Sequence, residues 1–333
     1  MNPLQNEVDA LRRRCIGCGK CTKVCPSFKH GGCDPMEIMI GNDEAVTQCI
    51  TCGNCSRACR RTDPFRVMQD LLCLAKGIHL SEAFRKTGYS MPLPEGPGAL
   101  EPEWRGDDAY VMPGCVVKCK VPYVEYAAAV CMGAVGVDSM ELPGNTCCMH
   151  PLQFREMPDV ERYGYKNAMG KAAKGKDLVT LCAGCSEELE ESGIEAEHII
   201  PFLERRLDAL PRFKNPLKVA LEPGCSAMRF KNEMKAVAEA MGCEVVNSSM
   251  GCCGKYSPVS EALMDERESE CASADVAVVG CPMCLVRYES REGGVPAVHI
   301  AELVAMAVGD RRTLPFHNNK PADGSWEGFD KKT

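Results

Sequence analysis

Pro113-Gly114-Cys115, Cys147-Cys148 and Cys182-Ala-Gly-Cys185, then Pro223-Gly224-Cys225, Cys252-Cys253 and Cys281-Pro-Met-Cys284, are the segments whose reading decides this chain. In the first set 31 residues separate Cys115 from the pair and 33 separate the pair from Cys182; in the second the spacers are 26 and 27. Both sets open on Pro-Gly-Cys, and both close shortly before a His-Ile pair, His198-Ile199 and His299-Ile300. Five thiols per set is one more than a cubane iron–sulfur cluster uses. Adjacent cysteines splay their side chains unless the backbone takes a special turn. Repeating that arrangement implies a metal centre to hold it.

Cysteine supplies 24 of 333 residues, which implies either a secreted disulfide framework or thiolate metal ligation. Disulfide-dense domains are usually short. This chain is 45% hydrophobic and long enough for two or three domains with a sizeable core. Its first residues, Met1 to Arg14, are polar and lack the apolar core of an export signal. Metal ligation is the expectation. No run approaches the ~18 consecutive apolar residues of a membrane helix. The expected location is therefore cytoplasmic, with attachment to a membrane through a partner subunit left open. A net charge of −7 argues against nucleic acid as a partner.

Upstream, Cys15-x-x-Cys18-x-x-Cys21-x-x-x-Cys25-Pro26 has the spacing that wraps one [4Fe–4S] cube and sends its fourth thiolate to a neighbouring cube. It recurs as Cys49-x-x-Cys52-x-x-Cys55-x-x-x-Cys59, without the proline. Crossed ligation assigns Cys15, Cys18, Cys21 and Cys59 to one cubane cluster and Cys49, Cys52, Cys55 and Cys25 to the other. Two zinc sites are the alternative, since four thiolates also suit Zn²⁺, but zinc motifs seldom place four thiols in so tight a run. Helical patterning is expected over 6–14, 35–40 and 64–76, with Pro64 suited to a first helical turn. This region, 1–87, reads as an α-helical two-cluster ferredoxin domain. The Pro- and Gly-rich stretch 88–107 reads as a linker, and 311–333 as a frayed polar tail.

Between these, apolar runs at 108–112, 137–142, 177–181, 217–221, 243–247 and 275–279 each end just before cysteines of the two sets. Amphipathic stretches at 124–132, 161–173, 232–241 and 261–271 separate them. Strand–helix alternation implies parallel sheets whose ligands sit beyond the carboxyl ends of the strands. The expected architecture is α/β: two doubly wound lobes, 108–210 and 215–310, related by duplication. A pseudo-twofold between them would set the two sites facing each other across a cleft.

The N-terminal pattern resembles the ferredoxin domains of fumarate reductase iron–sulfur subunits and of the C-type subunit of heterodisulfide reductase. From Tyr110 to about Val308 the pattern resembles the cysteine-rich CCG domain. That domain occurs in the B-type and D-type subunits of heterodisulfide reductases, in thiol:fumarate reductase, in glycolate oxidase iron–sulfur subunits and in the C-type subunit of anaerobic glycerol-3-phosphate dehydrogenase. The fused order is that of the D-type heterodisulfide reductase subunit. The resemblance implies two noncubane [4Fe–4S] clusters, one held by Cys115, Cys147, Cys148, Cys182 and Cys185, the other by Cys225, Cys252, Cys253, Cys281 and Cys284. It implies cleavage of a disulfide between them, with Cys147, Cys148, Cys252 and Cys253 as the catalytic cysteines. Two departures stand out: Met149 replaces the glycine found at Gly254, and the second set has shorter spacers.

Of the other six cysteines, Cys73, Cys131 and Cys271 lie in apolar helical stripes and read as small buried hydrophobes, whereas Cys119 follows Cys115 by four residues and could approach a cluster. Cys33 and Cys243 carry no assigned role. His150 and Lys255 follow the two Cys-Cys turns, where a cation could protonate a leaving thiolate or bind an acidic substrate. With no Gly-x-Gly-x-x-Gly after a strand, neither flavin nor NAD is expected on this chain. The expected activity is reduction of a disulfide, the heterodisulfide of thiol coenzymes, to two thiols. Electrons would come from a partner chain, either a flavoprotein or a membrane cytochrome b. The alternative is an electron-transfer subunit of a flavin-dependent glycolate, lactate or glycerol-3-phosphate dehydrogenase.

Overall fold

Alternating apolar runs and amphipathic helices build two four-stranded, all-parallel sheets in the computed structural model, which describes residues 2–95, 100–248, 251–255 and 257–321. The first contains β1 (Ala109–Met112), β2 (Ser139–Glu141), β3 (Asp177–Thr180) and β4 (Glu197–His198) in the order β2-β1-β3-β4. The second contains β5 (Lys218–Glu222), β6 (Glu244–Ser248), β7 (Val276–Val279) and β8 (Ala297–His299) in the order β6-β5-β7-β8. Every pairing is parallel. The central strands are apolar on both faces because helices cover both faces: Val276, Ala277, Val278 and Val279 are all buried.

One hydrophobic core runs through both sheets, from Val111 and Val179 to Val219 and Val278. The packing between lobes is reciprocal. The helix Tyr123–Ala134, which follows β1, packs on Ile300–Ala307, which follows β8; Lys231–Ala240, which follows β5, packs on Ile199–Glu204, which follows β4. His198 and His299 N-cap the helices after β4 and β8, each accepting a backbone N–H at 3.3 Å. Their rings also cross between lobes. His299 Nε2 meets the Leu181 carbonyl at 3.1 Å, and His198 faces the backbone of Gly280.

The N-terminal region is helical. Its first helix begins earlier than the patterning suggests, at Pro3, because Asn2 Oδ1 caps Leu4 N at 2.9 Å and Pro3 fits a first turn. Pro35–Met39 and Pro64–Lys76 follow the expected ranges, and the short helices Lys20–Lys23, Pro26–Lys29 and Asn54–Ala58 lie between. A buried ion pair, Arg155–Asp70 at 2.6 Å, fixes the longest of these to the first lobe.

Two segments read as loose are built into the structure. At the start of the stretch read as a linker, the Gly88 carbonyl accepts from Cys147 N at 2.9 Å and Ser90 N reaches Cys115 Sγ at 3.3 Å. Residues 96–99 of that stretch lie outside the described residues. In the expected tail, Leu314, His317 and Asn319 are buried, with His317 gripped between Glu289 and Glu302 at 2.8 and 3.0 Å. The rest of that tail, 322–333, lies outside the described residues.

Candidate metal centres

Each set of five thiols gathers at the carboxyl ends of three strands. β1 and β5 run into Pro-Gly-Cys, while Cys182 and Cys281 cap the helices Ala183–Glu191 and Pro282–Glu289 directly after β3 and β7. The Cys-Cys pairs occupy the loops after β2 and β6. Gly114 and Gly224 hold φ of +81° and +80°, and a Cβ there would lie 2.9 Å from Cys185 Sγ and 3.1 Å from Cys284 Sγ. The same thiol crowds the same glycine in both sets. The two Cys-Cys turns also match: Gly254 has φ 67° and Met149 has φ 71°. The missing glycine does not change the turn. Met149 takes the left-handed backbone, which costs about 1–2 kcal/mol, with its side chain buried beside Phe154 and Cys147.

The ten thiols form one unbroken row of hydrogen-bond contacts. It runs Cys115, Cys147, Cys148, Cys185, Cys182, then Cys281, Cys284, Cys253, Cys252 and Cys225. The two sets meet at Cys182 and Cys281, the first cysteines of the two C-x-x-C turns, rather than at the Cys-Cys pairs. Donation from a neighbouring thiol holds Cys115, Cys148, Cys182 and Cys284 below the ordinary thiol range, and brings Cys225 to about 7. Burial and the same contacts push Cys147, Cys185 and Cys281 up. Ten thiols gathered so closely suit thiolate ligation.

A charged pair missed in the sequence stands beside the second set. Arg267, 1% exposed, donates to Cys284 Sγ at 3.6 Å and pairs with buried Glu222. Lys255 Nζ donates to Thr51 Oγ1 at 2.8 Å instead of facing an open cleft. Beside the first set, His150 Nδ1 lies 3.6 Å from Glu188, which Lys166 holds at 2.6 Å. Burial opposes charge on His150, but Glu188 and the Cys148 thiolate outweigh it and raise its proton affinity. Cys119 is buried beside Cys115 and donates to the Met91 carbonyl at 3.4 Å. Cys131 is a buried core residue; Cys73 adds a hydrogen bond to the Leu152 carbonyl, and Cys271 one to Glu222.

In the N-terminal runs, Gly19 and Gly53 take left-handed φ of 69° and 78° at the starts of Lys20–Lys23 and Asn54–Ala58, which carry Cys21 and Cys55. Backbone N–H groups point at sulfur: Gly17 N lies 3.5 Å from Cys15 Sγ and Thr51 N 3.4 Å from Cys49 Sγ. Cys25 lies close enough to Cys52 and Cys55 for its charge to raise both, on top of the larger effect of burial. Cys18 is exposed and Cys59 caps the end of Asn54–Ala58. Cys52 packs with Ile50, Leu263 and Cys252, so the second run touches the second thiol set.

Among the described residues no three His, Cys, Asp or Glu side chains surround one point as a single metal ion requires. The fit to iron–sulfur clusters rests on the donor chemistry: thiols in sets, partly acidified, on glycine turns that aim amides at sulfur. No described helix is long and apolar enough to cross a membrane.

Residues 8–60 match the model of the 4Fe-4S dicluster domain. Three curated proteins are similar to 59% of the chain. The B-type subunit of the ferredoxin/F(420)H(2)-dependent CoB-CoM heterodisulfide reductase of Methanosarcina acetivorans is 26% identical over 262 residues, covering 87% of that protein. The B-type subunit of the ferredoxin:CoB-CoM heterodisulfide reductase of Methanosarcina mazei is 22% identical with the same coverage. A protein of Archaeoglobus profundus, itself like the B-type heterodisulfide reductase subunit, is 22% identical, with 89% of it covered. By the dicluster match and the relatives, the chain is similar to the class of iron–sulfur subunits of heterodisulfide reductases. Within that class the chain is like the D-type heterodisulfide reductase subunit, with a dicluster domain and a B-type region fused in one polypeptide.

Proposed function

We propose that this chain is the disulfide-reducing subunit of an oxidoreductase complex, and that the two lobes are a duplication. Identical strand order and reciprocal helix contacts support the duplication. The continuous row of ten thiols, joined at Cys182 and Cys281, carries the functional reading. The ligands are those assigned above: eight cysteines for two cubane clusters, and two sets of five for two noncubane clusters. Such clusters, when bound, supply one-electron transfer and a thiophilic iron surface.

The reaction is R–S–S–R′ + 2 e⁻ + 2 H⁺ → R–SH + R′–SH, which needs two electrons in single steps and releases two thiols. The chain's own residues provide for each requirement. Ile50, Cys52 and Cys252 pack the dicluster domain directly against the second set, closing the distance electrons must cover. Arg267 and Lys255 place positive charge beside that set, favouring its electron-rich form. His150, held by Glu188, is a proton donor beside the first set. It shares a cavity of about 190 Å³ with Cys52 of the dicluster domain and with Met149 and Ser226, which neighbour Cys148 and Cys225 in the chain. The electron donor is a separate partner chain, a flavoprotein or a cytochrome b.

Anaerobic purification with metal counting and turnover on a thiol-coenzyme heterodisulfide tests this. About sixteen irons per chain is the expectation for four four-iron clusters. About eight irons would mean that the Cys-Cys sets are empty, and stoichiometric zinc would overturn the assignment. Full iron without disulfide turnover, beside reduction by a flavin-linked hydroxyacid dehydrogenase, would favour the conducting-subunit alternative.

A further inference from the structure

Residues 10–33 contain six Lys or Arg and no Asp or Glu, in a chain whose net charge is −7. Two of the six are spoken for: Arg12 pairs with Asp43, and Lys29 pairs with Glu266 of the second lobe. Arg13, Arg14, Lys20 and Lys23 are exposed and have no acidic partner among the described residues. The same holds for Arg60 and Arg61, directly after Cys59.

The fold brings these six cations together. Thr62 Oγ1 donates to the Leu11 carbonyl at 2.7 Å, which sets the segment 60–62 against the end of the first helix. Lys20–Lys23 packs on Asn54–Ala58, and Asn54 Nδ2 donates to the Val24 carbonyl at 3.4 Å. The segments so gathered carry Cys15, Cys18, Cys21 and Cys59, the set that crossed ligation assigns to one cube. That site is also the outward one. Cys18 is exposed, and the neighbouring Ile16 is 64% exposed. In the other set Cys52 and Cys55 are buried, and Cys52 packs with Cys252 toward the second thiol set. Between Cys49 and Cys59 the only basic residue is Arg57, which pairs with Glu187 at 3.1 Å.

We propose that this basic face, with Ile16 exposed among its cations, docks the acidic face of the protein that delivers electrons, so that electrons enter beside Cys18. Each encounter passes one electron, leaving the carrier oxidised by one and the chain reduced by one. Complementary charge steers such encounters and raises their rate about 10–1,000-fold at low salt. A small apolar contact at Ile16 suits a carrier that must leave again. An anionic membrane surface offers the same charge, but lipid over Cys18 would cover the point of electron entry without supplying an electron.

The inference rests on the ligand assignment and the partner-supplied electrons proposed above, and the experiment separates them. Full-length, iron-loaded protein is prepared anaerobically as wild type and as four double variants: Lys20→Glu with Lys23→Glu, Arg60→Glu with Arg61→Glu, Lys20→Arg with Lys23→Arg, and Lys171→Glu with Lys174→Glu. The last pair is exposed just before β3, at the opposite end of the first sheet from its thiols. Reduction is followed by stopped flow with an acidic [2Fe–2S] ferredoxin and, separately, with the methyl viologen radical cation; iron and cluster potentials are measured in parallel. The wild-type rate with ferredoxin should fall about tenfold or more from low to high salt. Both charge reversals at the basic face should slow it about tenfold or more at low salt. The Arg pair and the Lys171 and Lys174 pair should keep the rate, and no variant should slow with methyl viologen. Slowing with both reductants, beside a lowered cubane potential, would mean that the cations only balance the cluster's charge, and would overturn docking. A ferredoxin rate indifferent to salt and to both reversals would overturn it as well. Reversals that release the protein from phosphatidylserine–phosphatidylcholine vesicles yet leave the ferredoxin rate intact would assign the face to a membrane instead. Salt-dependent reduction of a fully loaded wild type that turns over no disulfide would sink the reductase reading and leave the docking face standing. A dicluster domain that takes up no iron would overturn both.

Discussion

The Lys255 ammonium donates to Thr51 Oγ1 at 2.8 Å, and both residues hold a left-handed backbone, with φ of 50° and 51°. Thr51 lies between Cys49 and Cys52, and Lys255 stands two residues after Cys253. Each takes a conformation that is uncommon for a residue with a side chain. Burial disfavours the ammonium, but the neighbouring sulfurs, Cys225 first among them, outweigh this and favour its charged form. The cation joins the dicluster domain to the second thiol set.

Removing the acceptor should therefore loosen the junction between domains. Thr51→Val leaves a buried charged donor without its partner, at a cost of about 1–3 kcal/mol. Thr51→Ser keeps the hydroxyl and should lose much less. Anaerobic urea unfolding of the two variants measures the difference; equal stability would remove any importance from the contact.

The two Cys-Cys turns should respond in opposite ways to exchange of their third residue. A Cβ on Gly254 would meet Ser260 Cα at 2.8 Å as well as straining the backbone, so Gly254→Ala should destabilise the protein and lower its iron content. Met149→Gly relieves about 1–2 kcal/mol of backbone strain and loses about 1.5–3 kcal/mol of side-chain burial. It should keep its iron and stay within about 2 kcal/mol of wild type. Iron loss from Met149→Gly as large as that from Gly254→Ala would contradict the match between the turns.

Arg267 and Glu222 are both 1% exposed and pair beside Cys284. Arg267→Met leaves the carboxylate buried without its cation and should cost about 3–5 kcal/mol. The double variant Arg267→Met with Glu222→Met removes both charges and should recover much of that loss. Chemical denaturation of the three proteins tests the coupling; additive losses would mean that the two side chains act independently.

His317 gives a pH signature. Burial opposes its charge, but Glu302 and Glu289 overcome this and push its pKa up to about 10. A folded value above the unfolded value of about 6.5 stabilises the protein fully below pH about 6.5. That contribution declines as pH rises and is gone near pH about 10. The stability gap between wild type and His317→Gln should narrow over this window. A gap that does not change with pH would exclude a charged His317.

Where a chemical group dictates its own surroundings, the sequence was legible. The six strands that feed cysteines came from short apolar runs ending in Pro-Gly or before a Cys-Cys pair or a C-x-x-C, and Pro64–Lys76 from its apolar spacing and leading proline. The thiol sets were readable because few other uses explain such spacing. Long-range geometry was not readable. Nothing local says that Cys182 and Cys281 meet, since that depends on helices from one lobe packing on the other. Thr51 and Arg267 carry no motif, and they matter only through neighbours about 200 and 45 positions away in the chain. The Pro, Gly and polar surroundings of residues 88–91 and 311–319 masked their packing, which uses backbone groups and His317 as well as Tyr89 and Leu314.

Ten contiguous sulfurs also govern how the iron-free chain behaves in air. Each thiol touches the next, so the row offers nine neighbouring pairs for oxidative closure, including the one that bridges the lobes. Acidified members such as Cys225 react first, because the thiolate is the attacking species. Once closed, a pair can pass its bond along the row by exchange, so damage at one end migrates and scrambles the whole set. Metallation has to outrun oxygen, and protein isolated aerobically should need a thiol reductant before iron and sulfide can rebuild it.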